Sequence, residues 1–452
     1  MTKVDHILTQ INTRFPRRNF LYCFLILCAV CLLTYYPSLD NHFQQEWDDQ
    51  WMLLENPLLF YPTWEAIGRS FFTFYHNQYS SLNQLYYLGI YHIAGFNPFA
   101  FHLGSVLVHM VNVILVFILI RRVMTVVNIN WRSGITLYVP FLTALIFAIH
   151  PLQVESVAWI SASKVVWYTT FTLLGLLSYI GYKTHKRYLF LGMTFICYVA
   201  SLMVKEQAVI FPLNILLIDF LYRAYGKGSL RLSVWIEKIP FFLLAFGYWY
   251  WSAQNQVGIL DPANMYPWYD RIVFAGYSLL MYVFRFFVPV NLSHFYAYSM
   301  VSGETMPLYY YGYLILGLMF VIYLYDLYQS RKWIPFFSLA FFVINILLVL
   351  HIIPVPRGNI TADRYMYLSI VGLSSWTVWQ GNSWYVHWKS KNRAGQRIIS
   401  QLIPLLILIY IGGFIAHSNM ISRKWKDSET LKMDVKNHLY YMTAQEMEED
   451  GE

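Results

Sequence analysis

Two adjacent carboxylates, Asp48 and Asp49, stand in the run Glu46-Trp47-Asp48-Asp49-Gln50-Trp51. Paired acids in an aromatic setting raise each other's pKa, which suits general-base work or the holding of a metal. The competing reading is a solvated helix start, both aspartates favouring the macrodipole of the next helix. Further on, the stretch from His150 to Lys164 gathers His150, Glu155 and Lys164 with little other charge nearby. Lys164 could snorkel to lipid headgroups or hold a phosphate at the interface. Lys205-Glu206-Gln207 separates two apolar runs too closely to reach far into water; it reads equally as an interfacial ion pair or as part of a site. His351 to Arg357 leads into Asp363-Arg364-Tyr365, and Arg285 precedes Asn291-Leu292-Ser293-His294. Guanidinium groups are well shaped for bidentate phosphate contact. With Arg69 and Arg271, these cations could converge on an anion beside carboxylates at a membrane surface.

The elements that must position them are apolar helices. Of 452 residues, 58% are hydrophobic, 19% aromatic and 12% charged, whereas soluble domains carry roughly 25% charged residues. This excludes a soluble enzyme, a disordered chain and a disulfide-stapled module. The expected fold class is all-α and polytopic. Candidate spans cover 19–37, 100–120, 136–150, 165–182, 188–204, 208–223, 239–254, 308–328, 333–350, 365–382 and 398–417, with 83–97 and 272–290 ambiguous. A span needs about 20 apolar residues. Keeping both ambiguous stretches from crossing puts most of the 32 Lys and Arg residues on one side, as the positive-inside rule favours. Arg285 within the second stretch also argues against lipid exposure. The result is eleven spans, N-terminus inside and C-terminus outside, with the first run acting as a signal anchor. The chain then divides into a cytoplasmic N-terminus (1–18), a transmembrane catalytic domain (19–417) and an extracytoplasmic tail (418–452).

The first outer loop, 38–98, is long and rich in aromatic residues: Trp47, Trp51, Phe60, Tyr61, Trp64, Phe71, Phe72, Phe74 and Tyr75. Loops of that length are functional or disordered, and this composition favours short interfacial helices that bury their rings. The net charge of +8 is scattered through short loops, so no nucleic-acid partner is expected. The four cysteines lie in apolar runs and read as small hydrophobes. His102, His109 and Asn112 form one helical stripe, better suited to helix–helix contact than to a ligand. Walker A, Rossmann and H-E-x-x-H patterns are absent. Asn291-Leu292-Ser293 and Asn359-Ile360-Thr361 match glycosylation sequons, a pattern that chance supplies often.

These motifs, in this order, resemble the GT-C glycosyltransferases, and among them the TMTC-type, protein O-mannosyltransferase-like branch. The likeness rests on Asp48-Asp49 with Glu55-Asn56-Pro57, on His150 to Lys164, and on Lys205-Glu206-Gln207-Ala208 with Pro212 and Asp219. It continues through Tyr282, Pro289, Leu292 and Tyr296 to Asp363-Arg364-Tyr365-Met366-Tyr367-Leu368. The resemblance implies an eleven-span GT-C core and transfer of a sugar, of mannosyl type, from a polyprenyl-phosphate carrier to an acceptor hydroxyl on the extracytoplasmic side, with inversion. By the same resemblance Asp48 or Asp49 would be catalytic, and Lys164, Lys205, Arg364 and Arg285 would bind the donor phosphate. His150, Glu155, Glu206, Asp363 and Tyr365 would support them. No cofactor is required; a divalent metal near the aspartates would find hard oxygen ligands. The acceptor could be a glycan, a lipid or a protein, and the membrane would be a bacterial inner membrane or, in a eukaryote, the endoplasmic reticulum. Two features depart from the family. Ser161-Ala162-Ser163-Lys164 stands where an acid–Arg–Lys–Asp cluster is common, and about 35 residues after the last span are too few for tetratricopeptide repeats. The rival readings are a transporter or flippase of lipid-linked sugars, and an inactive scaffold. Transporters favour internal repeats with a mid-bilayer site, and no such symmetry is detectable here.

Overall fold

The computed structural model describes residues 17–127, 135–228, 232–255, 266–298, 300, 303–353, 359–391 and 396–449. Arg357, most of segment 1–18 and the last acids of the tail lie outside them. Fourteen helices of ten or more residues appear among the described residues, and no strand. They are α1 (Arg17–Tyr35), α2 (Ser81–Ala94), α3 (Pro98–Val126), α4 (Ile135–Ile149), α5 (Ser163–His185), α6 (Tyr188–Leu202) and α7 (Phe211–Ala224). The second half holds α8 (Ile239–Asn255), α9 (Trp268–Phe287), α10 (Leu308–Gln329), α11 (Trp333–Ile346), α12 (Met366–Lys391), α13 (Gln396–Lys424) and α14 (Ser428–Glu449). Each of the eleven apolar windows falls on one of them; α2 and α9 are the two ambiguous stretches.

Six of these regions are long and apolar enough to cross a membrane: Asn19–Asp40, Pro98–Val126, Ile160–His185, Glu206–Ala224, Leu308–Gln329 and Leu405–Lys424. A seventh results if Leu137–Ile149 and Pro151–Ala158, bent by 58° at their junction, form one broken span. The chain is a multi-pass helical membrane protein. The other windows are helical but shorter or more polar. Helices α6 and α11 have 15 and 14 residues, and α12 interrupts its apolar run with Ser369, Ser374, Ser375, Gln380 and Asn382.

Local chemistry sets the boundaries. Asn97 caps α3 by accepting from the Phe99 amide at 3.1 Å, with Pro98 at the first helical position. His150 does the same for Leu152 at 3.2 Å, ahead of Pro151. That cap ends α4 and restarts the chain on a new axis. Helix α5 packs along α6 and α3, α3 along α4, α9 along α10, and α11 along α12. Small residues permit the closest approaches. A Cβ on Gly276 would lie 2.8 Å from the Leu314 Cα, and one on Gly372 would lie 2.6 Å from the Phe342 nitrogen. The polar stripe of α3 knits the bundle. His109 Nδ1 lies 2.7 Å from the Tyr367 hydroxyl, while Asn112 donates to the Val166 carbonyl at 2.8 Å and accepts from Thr170 at 2.8 Å.

The first loop contains a π-helical turn, Gln50–Leu54, and two short α-helices, Pro57–Phe60 and Trp64–Ser70, before α2. Not all of its rings are buried against the protein. Tyr61, Trp64 and Phe72 are 75%, 89% and 80% exposed. The last span runs past 417 to Lys424 before the tail helix begins. The tail docks on the first loop: Asn41 donates to the Ser422 carbonyl at 3.0 Å, and Gln44 to the Trp425 carbonyl at 2.7 Å.

Candidate active site

The twin aspartates sit on a turn whose direction is set by Glu46, held at φ +65° in the left-handed region. Residues other than glycine adopt it at a cost, and such strain gathers at functional sites. Beyond this turn the two carboxylates part. Asp49 is fully buried. One of its oxygens accepts from the Gln44 amide at 2.9 Å, and the other from the Ser161 amide at 2.9 Å and the Ser161 hydroxyl. Burial pushes its pKa up to about 6, against the lowering effect of those donors. Asp48 keeps a side chain 33% exposed and stands 3.9 Å from the Lys164 ammonium.

Lys164 lies in the first turn of α5 and donates to the Gln78 side chain. Its ammonium is within the electrostatic reach of Asp48, Lys205, Glu206 and Arg364. Lys205 precedes the 3-10 turn Glu206–Ile210 and lies 3.4 Å from the Glu206 carboxylate. Both lysines are buried. Lys164 starts α5 and Lys205 precedes a separate 3-10 turn, and two like charges within electrostatic reach of each other favour a nearby anion.

Arg364 joins this group to a second one. Its guanidinium contacts Glu155, and its backbone amide donates to the other Glu155 oxygen at 2.7 Å. Burial opposes the Arg364 charge, but Glu155 outweighs it and holds the guanidinium above its ordinary value, with Asp48 contributing. The planar cation lies 5.1 Å from the Tyr365 ring and 5.5 Å from that of Trp159. His294 Nδ1 reaches Glu155 at 3.1 Å. Trp47, Trp159 and Trp425 meet the imidazole edge-on at 4.7, 4.9 and 5.1 Å.

Arg285 belongs to a third group, continuous with the second through the chain at 363–364. It donates to the Thr361 hydroxyl at 2.7 Å, lies over the Tyr296 ring at 3.6 Å and stands 3.9 Å from Asp363. Tyr296 donates to Asp363 at 3.0 Å. Burial carries the Asp363 pKa up to about 7, with Arg285 pulling the other way.

A segment of this chain is 31% identical over 168 residues to the mouse (Mus musculus) protein named Protein O-mannosyl-transferase TMTC2. The likeness is partial. It takes in 35% of this chain and 18% of the relative. No family model matches the chain, and no solved structure matches it.

Asp48 with Lys164, Lys205 with Glu206, and Glu155 with Arg364 are separate ion pairs within electrostatic reach of one another, and Asp363 and Tyr365 flank Arg364 in the chain. Four residues from the sequence reading stand elsewhere: Arg69 pairs with Glu65 in solvent, Arg271 donates to the Ile352 carbonyl at 3.3 Å, and His150 and Asp219 have structural partners. His150 stacks on Phe286 at 5.0 Å and spends both ring nitrogens on backbone, which makes it a structural corner. Asp219 binds Lys183 and Lys238, each at 2.7 Å, at the far end of α5. The 19 helical steps from Lys164 to Lys183 span about 28 Å at 1.5 Å per step, close to a bilayer core. Sequence reasoning did not single out Gln44, Ser161, Trp425 or Tyr296 as positioning groups. His294 appeared in it without a role. A small cavity, with about 10 Å³ open to the centre of a water molecule, lies between Glu155, His294, Asp363 and the tail. It has room for about one water.

Proposed function

We propose that this chain is a membrane glycosyltransferase that moves a sugar from a polyprenyl-phosphate carrier to an acceptor hydroxyl, with inversion, on the extracytoplasmic side of an eleven-span bundle. The observation that carries the reading is the gathering of Lys164, Lys205 and Arg364 in one electrostatic field with Asp48. A lipid phosphate needs cations at the membrane surface, and the attacking hydroxyl needs a carboxylate beside them.

Asp48 is the base, because Asp49 has both oxygens engaged by protein donors. The acceptor O–H gives its proton to Asp48 as the oxygen attacks the anomeric carbon. The bond from that carbon to the phosphate oxygen breaks, and the polyprenyl phosphate leaves with the electron pair. Lys164, Lys205 and Arg364 stabilise the charge that grows on it. Asp49 is a positioning residue, fixing the turn to Ser161. The activated sugar–phosphate bond supplies the driving force, so the reading requires no cofactor. Exposed Tyr61, Trp64 and Phe72 suit the headgroup layer where the carrier's phosphate resides.

Purified protein in detergent, given radiolabelled polyprenyl-phosphate mannose and a panel of glycan, lipid and protein acceptors, tests this. A new glycosidic bond that depends on Asp48 supports the proposal. Carrier-sugar binding without bond formation or donor hydrolysis would overturn it in favour of a transporter.

A further inference from the structure

Lys164 is a buried cation whose firmest contact is with a neutral group. Its ammonium donates to the Gln78 side-chain oxygen, while the Met52 sulfur lies at 3.8 Å and the Asp48 carboxylate at 3.9 Å. A buried ammonium needs acceptors for its hydrogens. A carboxylate at the place of Gln78 would satisfy one and cancel the charge as well. An amide oxygen orients the ammonium and leaves its charge available. We propose that Gln78 is a positioning residue that holds the Lys164 ammonium off Asp48, so that the cation stays free for an anion and the carboxylate stays free for a proton. The identity of that anion, a polyprenyl phosphate, rests on the glycosyltransferase reading; the restraint on Lys164 does not.

The placement of Gln78 carries backbone strain. It ends the turn Tyr75–Gln78, which is closed from both sides: the Tyr75 amide donates to the Gln78 carbonyl at 2.9 Å, and the Gln78 amide to the Tyr75 carbonyl at 3.0 Å. The two central residues, His76 and Asn77, hold φ at +45° and +60°. Two left-handed residues in succession make a type I′ turn, for which Asn-Gly is the usual sequence. Asn77 tolerates that region, whereas His76 adopts it at a cost. Contacts on either side hold the turn in place. The His76 ring stacks on Trp51 at 4.8 Å, and Trp51 stands three residues beyond Asp48. Tyr79, next to Gln78, donates to the Phe71 carbonyl at 2.9 Å and meets Trp251 of α8 edge-on at 4.8 Å.

The start of α5 is tied down as well. The Tyr87 hydroxyl of α2 donates to the Ile160 carbonyl at 2.9 Å and lies 2.8 Å from the Ser163 hydroxyl, one residue before Lys164. Gln78 and Lys164 thus meet from two anchored segments, and the contact between them is built into the fold. Without the amide, the ammonium could cross its remaining gap to Asp48. The attraction of opposite charges grows as they approach, and a close pair would occupy the base and the anion-binding cation together.

Isosteric substitutions in the full chain test this. Gln78→Glu keeps the shape and strengthens the contact with Lys164, so a purely structural role predicts unaltered anion binding. We expect instead at least tenfold weaker binding of farnesyl phosphate, a short polyprenyl phosphate, measured by calorimetry in detergent. Binding of the neutral alcohol farnesol should stay within twofold of the parent. Gln78→Met removes the acceptor and should weaken farnesyl phosphate several-fold. Adding Asp48→Asn should recover most of that loss, because the competing partner is gone. Should Gln78→Glu not fold, the Gln78→Met comparison decides alone. Parent-like affinity for farnesyl phosphate in the substituted proteins overturns the proposal, as does equal weakening for phosphate and alcohol. A parent that does not bind farnesyl phosphate also overturns it. Gln78-dependent binding in a protein that transfers no sugar keeps the role of Gln78 and removes the glycosyltransferase reading. Sugar transfer with binding indifferent to Gln78 does the reverse.

Discussion

Ser161 gives both its backbone amide and its hydroxyl to a single oxygen of Asp49, 112 residues earlier in the chain. The second aspartate of the pair is thereby committed to holding two loops together, and the first is left facing the cations. Two chemically identical neighbours acquire different tasks because one is buried among donors and the other is not.

Asp48→Asn should abolish transfer, a loss of about 10²–10⁴-fold for a general base, with the melting temperature unchanged. Asp49→Asn should instead lower the melting temperature, since the amide NH2 replaces one of the two accepting oxygens and faces a donor. Activity assays and thermal unfolding on the two variants separate these outcomes.

The Asp49 carboxyl has a folded-state pKa of about 6, above its ordinary 3.8. Its contribution to stability is thus present below about pH 4 and lost as pH rises through 6. Ser161→Ala deletes a donor to the ionised form. It should cost about 1–3 kcal/mol near neutrality and less at pH 4, as read by thermal melts across that range.

Lys164→Gln and Lys205→Gln should each cut kcat/KM for the lipid-linked donor by about 10–100-fold, or roughly 1.4–2.8 kcal/mol. The double variant should lose less than the product of the two, because both cations act on one anion. Steady-state kinetics against donor concentration measures this.

Glu155→Gln leaves the buried Arg364 charge without its counterion. Breaking such a pair costs about 3–5 kcal/mol. The expected result is a large drop in thermal stability, partly recovered when Arg364→Met is added. A Glu155→Gln variant as stable as the parent would remove the structural role of the ion pair.

Much of this architecture was legible because apolar run length is a strong signal. All eleven windows are helical, and charges such as Lys164, Lys205 and Arg364 stood out against a chain with few of them. The division between Asp48 and Asp49 was not legible, since it arises from the backbone turn at Glu46 rather than from spacing. Trp425 and His294 were equally hidden: in a chain that is 19% aromatic, one more ring carries no positional information until its neighbours are known. His150 misled in the other direction, because a histidine before a proline beside an acid reads as chemistry but caps a helix here.

The corner at His150 has an evolutionary consequence. Glu155, Ser161 and Lys164 all lie downstream of it within a short, rigid, buried run, and each grips a different distant partner. Inserting or deleting one residue there would displace the side chains that follow from their partners, uncoupling Arg364, Asp49 and Gln78 in one event. Length variation among descendants of this chain should therefore be forbidden across that run and fall instead in the connections between helices on the opposite side.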